Sequence, residues 1–365
     1  MKVINIALLV GLTLLVLFFG SLLSCNDDDD SEDYANDDTN DGANDDTVGA
    51  DDDLMDDDIW DDDLNDDDTV MDDDSMDDDF TDDDTVDDDT IDDDTEDDDT
   101  ADDDLTGEII TVLTMNLQNP IWNLLNVDDR TQIVADLILD KQPDFVAMQE
   151  AAQLLLVQNR AEVLAEMTGY EYVWKKTHEI PLVFEEGIAI MTRLPIEWSD
   201  REWLPHPEIL GLFERSILGV RVSTELGEIY FYCSHMTTSN NSTEKADQAL
   251  DAWLFMKSHL SERTGFFAGD LNAEPDSLAM RFLRGEAQHD GYEGDLFDEW
   301  IETNPSDPGY TYPSDNPDRR IDYIYLVPGS RELALPLDCE RVLAEPVGGV
   351  WASDHIGVLC SFDVP

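Results

Sequence analysis

Residues 266–275 read FFAGDLNAEP, a short bulky apolar run that stops at Gly269 and delivers Asp270 and Asn272. Aromatic residues of this kind suit a buried strand, and Gly269 lets the backbone turn where that strand ends. Five other segments share the plan. TMNLQ (114–118) presents Asn116, MQE (148–150) Glu150, CSH (233–235) His235, RRIDY (319–323) Asp322, and SDH (353–355) both Asp354 and His355. Taken singly, a strand-end Glu, Asn or His is ordinary polar surface, and an Asp after Gly commonly caps the next helix. Eight such groups, each placed where an apolar run stops, could converge on one rim of a compact fold. Carboxylates, amides and imidazoles in that mixture suit a divalent cation and a phosphate ester.

The surrounding sequence predicts an α/β-type domain. Strand-like runs cover Ile109–Met115, Phe145–Gln149, Tyr170–Trp174, Gly187–Met191, Ile217–Val222, Ile229–Ser234, Gly265–Ala268, Tyr323–Val327 and Ile356–Phe362. Amphipathic helices are expected over Asp128–Lys141, Ala151–Met167 and Thr243–Leu260. The last has Ser242 as its cap and Ala246, Ala249, Leu250, Trp253 and Leu260 on one face. Helices between strands favour layers of sheet covered by helix over a bare β-sandwich.

Working outward, the chain divides into three parts: 1–24, 25–106 and 107–365. Residues 2–24 start with Lys2, run apolar from Val3 to Leu23 and end in LLSC, the pattern of an export signal. An uncleaved membrane anchor is the alternative, since about 20 apolar residues span a bilayer. Either way the remainder leaves the cytoplasm. From Asn26 to Thr106 Asp dominates, with Asp triplets recurring about every five residues from Asp51 onward. Such a run buries too little apolar surface to offset chain entropy, and its like charges repel, so an extended, solvated spacer is expected. At about 3.3–3.6 Å per residue it would reach at most about 270–290 Å. The triplets lack the Gly turn and mixed ligand spacing of a calcium loop, so only loose cation collection is expected of them.

The 259 residues from Gly107 onward suffice for one large domain with its own core. They carry 44 acidic against 18 basic side chains, a net charge near −26. A surface of that sign repels long nucleic-acid backbones unless bound cations or a local patch intervene. Cys233, Cys339 and Cys360 allow at most one disulfide, and no CxxC or HxxxH spacing marks a zinc site. His206 in its Pro-rich loop, His178, and the apparently solvent-facing His259 and His289 receive no role. Arg215 reads as a structural ion-pair partner as readily as a functional one.

The ordered motifs, together with GYTYPSDNPDRRIDYIYL (309–326), resemble the endonuclease/exonuclease/phosphatase superfamily from about Ile110 to Phe362. The resemblance implies a four-layer sandwich: two central mixed β-sheets packed face to face, with helices on both outer sides. It implies Glu150 as main metal ligand, with Asn116 and Asp354 completing a site for Mg²⁺, or for Mn²⁺ or Ca²⁺. It also implies Asp270 as the group that orients or deprotonates water, Asn272 and His235 as phosphoryl contacts, and His355 as acid/base partnered by Asp322. Many nucleases of the superfamily place an acidic residue two positions after the first-motif Asn, where this chain has Gln118. The N-terminal segment resembles a bacterial lipoprotein signal, which implies lipidation of Cys25 and a monomer tethered in the cell envelope, periplasmic or at the surface, with no specific protein partner. The expected activity is in-line water attack on a phosphodiester or phosphomonoester. Its substrate would be nucleic acid, a phospholipid such as sphingomyelin, or a small phosphoester. The alternatives are an inactive, surface-displayed binding module on the same fold, or a passenger on a cation-collecting polymer.

Overall fold

The computed structural model describes residues 107–120, 123–154, 158–180, 183–208, 213–225, 227–260, 264–329 and 334–365. The export-signal segment, Cys25 and the Asp-rich repeat lie outside the described residues. Among the described residues no helix is long and apolar enough to cross a membrane. The elements run β1 (Glu108–Asn116), α1 (Val127–Lys141), β2 (Phe145–Leu154), α2 (Arg160–Thr168), β3 (Glu171–Ile180), β4 (Phe184–Thr192), β5 (Ile196–Trp203), β6 (Ser216–Thr224), β7 (Gly227–His235), α3 (Ser242–His259), β8 (Gly265–Asp270) and α4 (Leu278–Leu283). There follow β9 (Gln288–His289), β10 (Tyr292–Glu293), β11 (Phe297–Asp298), α5 (Glu299–Thr303), β12 (Asp322–Val327), β13 (Leu335–Val342) and β14 (Gly357–Val364).

Two six-stranded sheets result, ordered β13-β14-β1-β2-β4-β3 and β11-β12-β8-β7-β6-β5. Each is antiparallel except for one central parallel pair, β1/β2 and β7/β8, whose crossovers carry α1 and α3. The sheets pack face to face, with Phe145 stacked on Phe231 at 5.0 Å and Phe266 against Phe362 at 4.7 Å. The alternation of side chains along a strand sorts residues cleanly. Ile229, Phe231 and Cys233 of β7 enter the inter-sheet core, whereas Tyr230 and Tyr232 face α3 and α4. On the other sheet Val112, Phe145 and Ala147 point inward, while Leu113, Val146 and Met148 pack under α1 and α2. The architecture is the expected four-layer sandwich.

Several expectations change in detail. The helix expected over Ala151–Met167 begins only at Arg160, because Ala151–Leu154 extend β2 against Gly187–Phe184 of β4 after a register shift between Met148 and Ala151. Alanine favours helix by propensity, and pairing with β4 overrides it here. Asn241, accepting from the Thr243 N–H, caps α3 in place of Ser242. Besides the two-residue β9, β10 and β11, two full strands, β5 and β13, escaped the sequence reading. Both are edge strands, and the charges in IEWSDREW and LPLDCERV that blunt an edge also disguise its pattern. Cys339 and Cys360 face one another across β13 and β14 and form the one disulfide, leaving Cys233 buried as a free thiol.

At the head of α5, burial pushes the Glu299 carboxyl up to about 8, with the neighbouring Asp298 and Glu302 charges acting the same way. The folded chain therefore holds a proton that the unfolded chain releases near its ordinary value of 4.5. Stability should fall as pH rises from about 4.5 to about 8, where the unfolded state binds fewer protons than the native one. Glu299→Gln is expected to flatten this slope and raise Tm at pH 8 while changing little at pH 4.5. Urea unfolding of both proteins across that window tests it, and identical slopes would refute it.

Candidate active site

The same alternation that fills the core carries polar groups to one end of the sandwich. Asn116 continues the inward row of Ile110 and Val112, His235 that of Phe231 and Cys233, and Asp270 that of Phe266 and Ala268; Asp322 opens the row of Ile324 and Leu326. His235 pairs in register with Asp270, and Asp270 with Asp322, so three adjacent strands present these groups in one line. Glu150 is different. Its parity matches Val146 and Met148, which face the helices, yet the β-bulge and a left-handed backbone (φ 54°) turn it toward Asn116. Bulges commonly re-aim a side chain at a site, and a non-glycine residue held at positive φ is a strain that the surroundings must enforce. Gln118 (φ 53°) and Asn272 (φ 49°) share that conformation.

Asp270 is the hub. Its Oδ2 accepts from Asn116 Nδ2 at 2.9 Å and lies 3.4 Å from His235 Nε2 and 3.7 Å from His355 Nε2. Its Oδ1 accepts from the Asn272 N–H at 3.0 Å. Asn116 Nδ2 also donates to Glu150 Oε1 at 3.1 Å, and the Asn119 N–H donates to Glu150 Oε2 at 2.6 Å. His355 Nδ1 meets Asp322 Oδ2 at 2.9 Å, which fixes the ring with Nε2 toward Asp270. Asp354 is anchored through its carbonyl, which accepts from Ser314 N–H at 2.7 Å, and its carboxylate accepts from Ser353 Oγ at 3.3 Å. The charges of Asp354, Asp270 and Glu150 all act on the Tyr312 hydroxyl, and the Tyr312 ring lies 4.7 Å from that of His355. Seven of the eight predicted residues thus form one contact chain, and the eighth stands beside it.

The electrostatics divide the groups. Burial pushes Asp270 up to about 7, against the pull of the His355 cation. Burial alone would lower His355, but the carboxylates of Asp322 and Asp270 outweigh it and hold the imidazole at about 10. His235 is held well below its ordinary value by burial and by the cations of Arg215 and His355, so it is a neutral hydrogen-bond donor. Donor atoms of Asp270, Asp322 and His355 lie within 4.8 Å of one another, an acidic/His cluster able to hold a metal ion. Glu150 and Asp354 add hard carboxylate oxygen nearby, the donor type that suits Mg²⁺.

Residues 121–355 match the profile of the Endonuclease/Exonuclease/phosphatase family. The chain belongs to the endonuclease/exonuclease/phosphatase family. Membership makes it a hydrolase of phosphoester bonds. Solved structures of this family share its fold. Humanized TDP2 from D. rerio is 19% identical, with TM-score 0.57, over 70% of this chain and 98% of that one. A family protein from Leptotrichia buccalis is 23% identical, with TM-score 0.56, over 69% of this chain and 99% of that one. The human nocturnin catalytic domain with bound sulfate is 17% identical, with TM-score 0.55, over 70% and 94%. No curated protein sequence matches the chain.

The fold adds residues that the motifs did not reveal. Asn119 joins Glu150 to buried Glu186, whose other oxygen lies 3.4 Å from His178 Nε2. Burial, aided by the Glu150 charge, pushes Glu186 up to about 8. Glu208 pairs with Arg215 at 3.5 Å and accepts from Thr237 Oγ1 and the Thr238 N–H just beyond His235. Arg130 and Arg160 donate to the Gln118 and Leu117 carbonyls and hold the turn after β1. Gln118 spends its amide oxygen on Arg130 at 2.6 Å. No short motif marks these residues, which are set by packing between segments far apart in sequence.

Gly269 is the tightest backbone point of the site. A Cβ there would stand 2.0 Å from the Ser234 carbonyl oxygen. Gly269→Ala is expected to push β8 off β7, cost about 1–3 kcal/mol, and displace Asp270. Thermal unfolding and hydrolysis rate together test it, and a variant that matches wild type in both would refute the packing argument.

Proposed function

We propose that this chain is a divalent-cation-dependent phosphodiesterase acting on nucleic acid, tethered in the cell envelope through a lipidated Cys25. The observation that carries the catalytic part is the Asp270 carboxylate between two histidines, with His355 oriented by Asp322. Asp270, raised toward neutrality, accepts a hydrogen bond from the attacking water and takes its proton as the O–P bond forms. His355, held protonated, gives the Nε2 proton to the leaving oxygen as the P–O ester bond breaks. Neutral His235 donates to the phosphoryl oxygens, and one hydrogen of Asn272 Nδ2 can do the same, the other being on the Met236 carbonyl at 3.0 Å. Mg²⁺, Mn²⁺ or Ca²⁺ bound by Glu150, Asp354 and Asn116 would withdraw negative charge from the phosphoryl group. Separating the pKa values of two neighbouring groups is how one site supplies both a base and an acid.

The choice of nucleic acid is supported by the family and by the D. rerio TDP2 structure complexed with single-strand DNA product. The net charge near −26 of residues 107–365 favours short or single-stranded ends over long duplex. Tethering rests on the LLSC sequence preceding Asn26. The test is the full chain with Mg²⁺ against single-stranded DNA, sphingomyelin vesicles and bis(p-nitrophenyl) phosphate, with and without EDTA. Cleavage of DNA and the chromogenic diester, abolished by EDTA and restored by Mg²⁺, is expected. Cleavage of sphingomyelin alone would move the substrate to lipid, and silence on all three would end the phosphodiesterase reading. Palmitate labelling that persists in Cys25→Ala would overturn the anchor.

A further inference from the structure

We propose that Asp247, His289 and Asp290, with His206 as the outer partner that orients Asp247, form a second cation site, made of none of the catalytic residues and suited to a Zn²⁺-class transition-metal ion. The four come from three segments: His206 from the loop after β5, Asp247 from α3, and His289 and Asp290 from the end of β9 and the turn that follows it. Each oxygen of Asp247 faces one imidazole, Oδ2 to His206 Nε2 at 2.5 Å and Oδ1 to His289 Nε2 at 2.6 Å. Donor atoms of Asp247, His289 and Asp290 lie within 4.8 Å of one another. His289 is not solvent-facing as its sequence context suggested, since its side chain is only 10% exposed.

The donor set selects the ion. An imidazole nitrogen with carboxylate oxygens suits borderline Zn²⁺, whereas Mg²⁺ favours an all-oxygen shell that keeps several waters. The local charge favours a cation, because Asp251, close by, adds its carboxylate to those of Asp247 and Asp290. The mechanics do as well. The β9–β10 hairpin has two register pairs and joins neither main sheet, and a two-stranded ribbon is marginal by itself. Tyr292 against Trp253 at 6.1 Å and His289 against Phe282 at 6.3 Å seat it on α3 and α4. An ion at Asp247 would staple hairpin, helix and loop across 41 and 42 residues of sequence. Binding exchanges the His289 Nε2–H···O contact for an Nε2–metal bond, leaving that ring's proton on Nδ1 and releasing any excess proton to solvent, while His206 stays on Asp247 Oδ2. No zinc spacing shows along the chain because the ligands are dispersed.

The experiment uses the full chain in excess Mg²⁺, so that hard-oxygen sites, including the Asp-rich repeat, are occupied. Zn²⁺ is then titrated in competition with a chromophoric chelator. Wild type should bind one Zn²⁺ equivalent that His206→Gln and His289→Gln each weaken by more than about tenfold, the least that loss of even an outer partner costs a metal site. Glutamine keeps an N–H donor for Asp247, so folding should survive, and circular dichroism and Mg²⁺-dependent hydrolysis in the variants should match wild type. Zn²⁺ should raise Tm in wild type and not in the variants. Equal Zn²⁺ affinity in variants and wild type, or no zinc-specific equivalent in wild type, overturns the site.

Discussion

Asp270→Asn should lower the rate of phosphodiester hydrolysis by about 10²–10⁴-fold, the range that removal of a positioned acid–base group costs, while Tm stays close to wild type. The substitution keeps the size of the side chain and one oxygen, which can accept from either the Asn272 N–H or Asn116 Nδ2 but not from both. What it removes is the charge that lies 3.4 Å from His235 and 3.7 Å from His355, and with it the acceptor for the proton of water. His355→Ala should cost a similar factor, since it deletes the acid and leaves Asp322 buried without its partner at 2.9 Å. Because the two act on the same displacement, one on the entering and one on the leaving oxygen, their effects should not add. The double variant should be about as slow as the slower single variant, as residues that work as a unit behave. Initial rates on bis(p-nitrophenyl) phosphate for the four proteins, with thermal unfolding as the control, decide the matter. Asp270→Asn within tenfold of wild type would remove Asp270 from the mechanism, and fully additive losses would show that the two groups serve separate steps.

Much of this site was legible before any coordinates because strand alternation transmits position. Asn116, His235, Asp270 and Asp322 each continue an inward apolar row, so an apolar stripe that ends in a polar residue points to the rim. Glu150 was legible only through its motif. Its parity is wrong for the site, and the bulge that corrects it has no signature in MQE. The helix expected after Glu150 fails for the same reason, since the bulge lets Ala151–Leu154 resume pairing with β4. The neighbours Asn119 and Glu186 were opaque, while His178 was noted without a role and Arg215 was read as an ion-pair or functional residue without its partner Glu208. A buried carboxylate beside an imidazole depends on which loop lies over which strand, and single-sequence periodicity carries no information about that. Edge strands β5 and β13 were hidden by the charges that keep them from pairing with other chains.

Asp298→Ala is expected to destabilise the fold by about 3–5 kcal/mol, the cost of removing one partner from a buried ion pair. Asp298, closing β11, receives both arms of the Arg320 guanidinium at 2.8 and 2.7 Å, and each residue is 3% exposed. Arg320 has few other places to put its charge, since its face lies 4.7 Å above the Tyr323 ring and Arg284 approaches the same carboxylate at 3.9 Å. Truncating Asp298 would therefore leave a guanidinium buried beside a second cation. The pair also bears on catalysis, because Arg320 is two residues from Asp322 and its carbonyl accepts from the Tyr323 hydroxyl at 3.0 Å. A shift of this segment would slacken the Asp322–His355 contact, so activity at a temperature where the variant is still folded should drop too. Replacing both partners with apolar residues, Asp298→Leu with Arg320→Met, should recover most of the lost stability, because filled apolar volume often equals or exceeds a buried pair. Urea unfolding of the two singles and the double gives the coupling directly. A single variant within about 1 kcal/mol of wild type would mean that water reaches Arg320, and a double variant as unstable as the single would mean that the guanidinium serves packing and not charge balance.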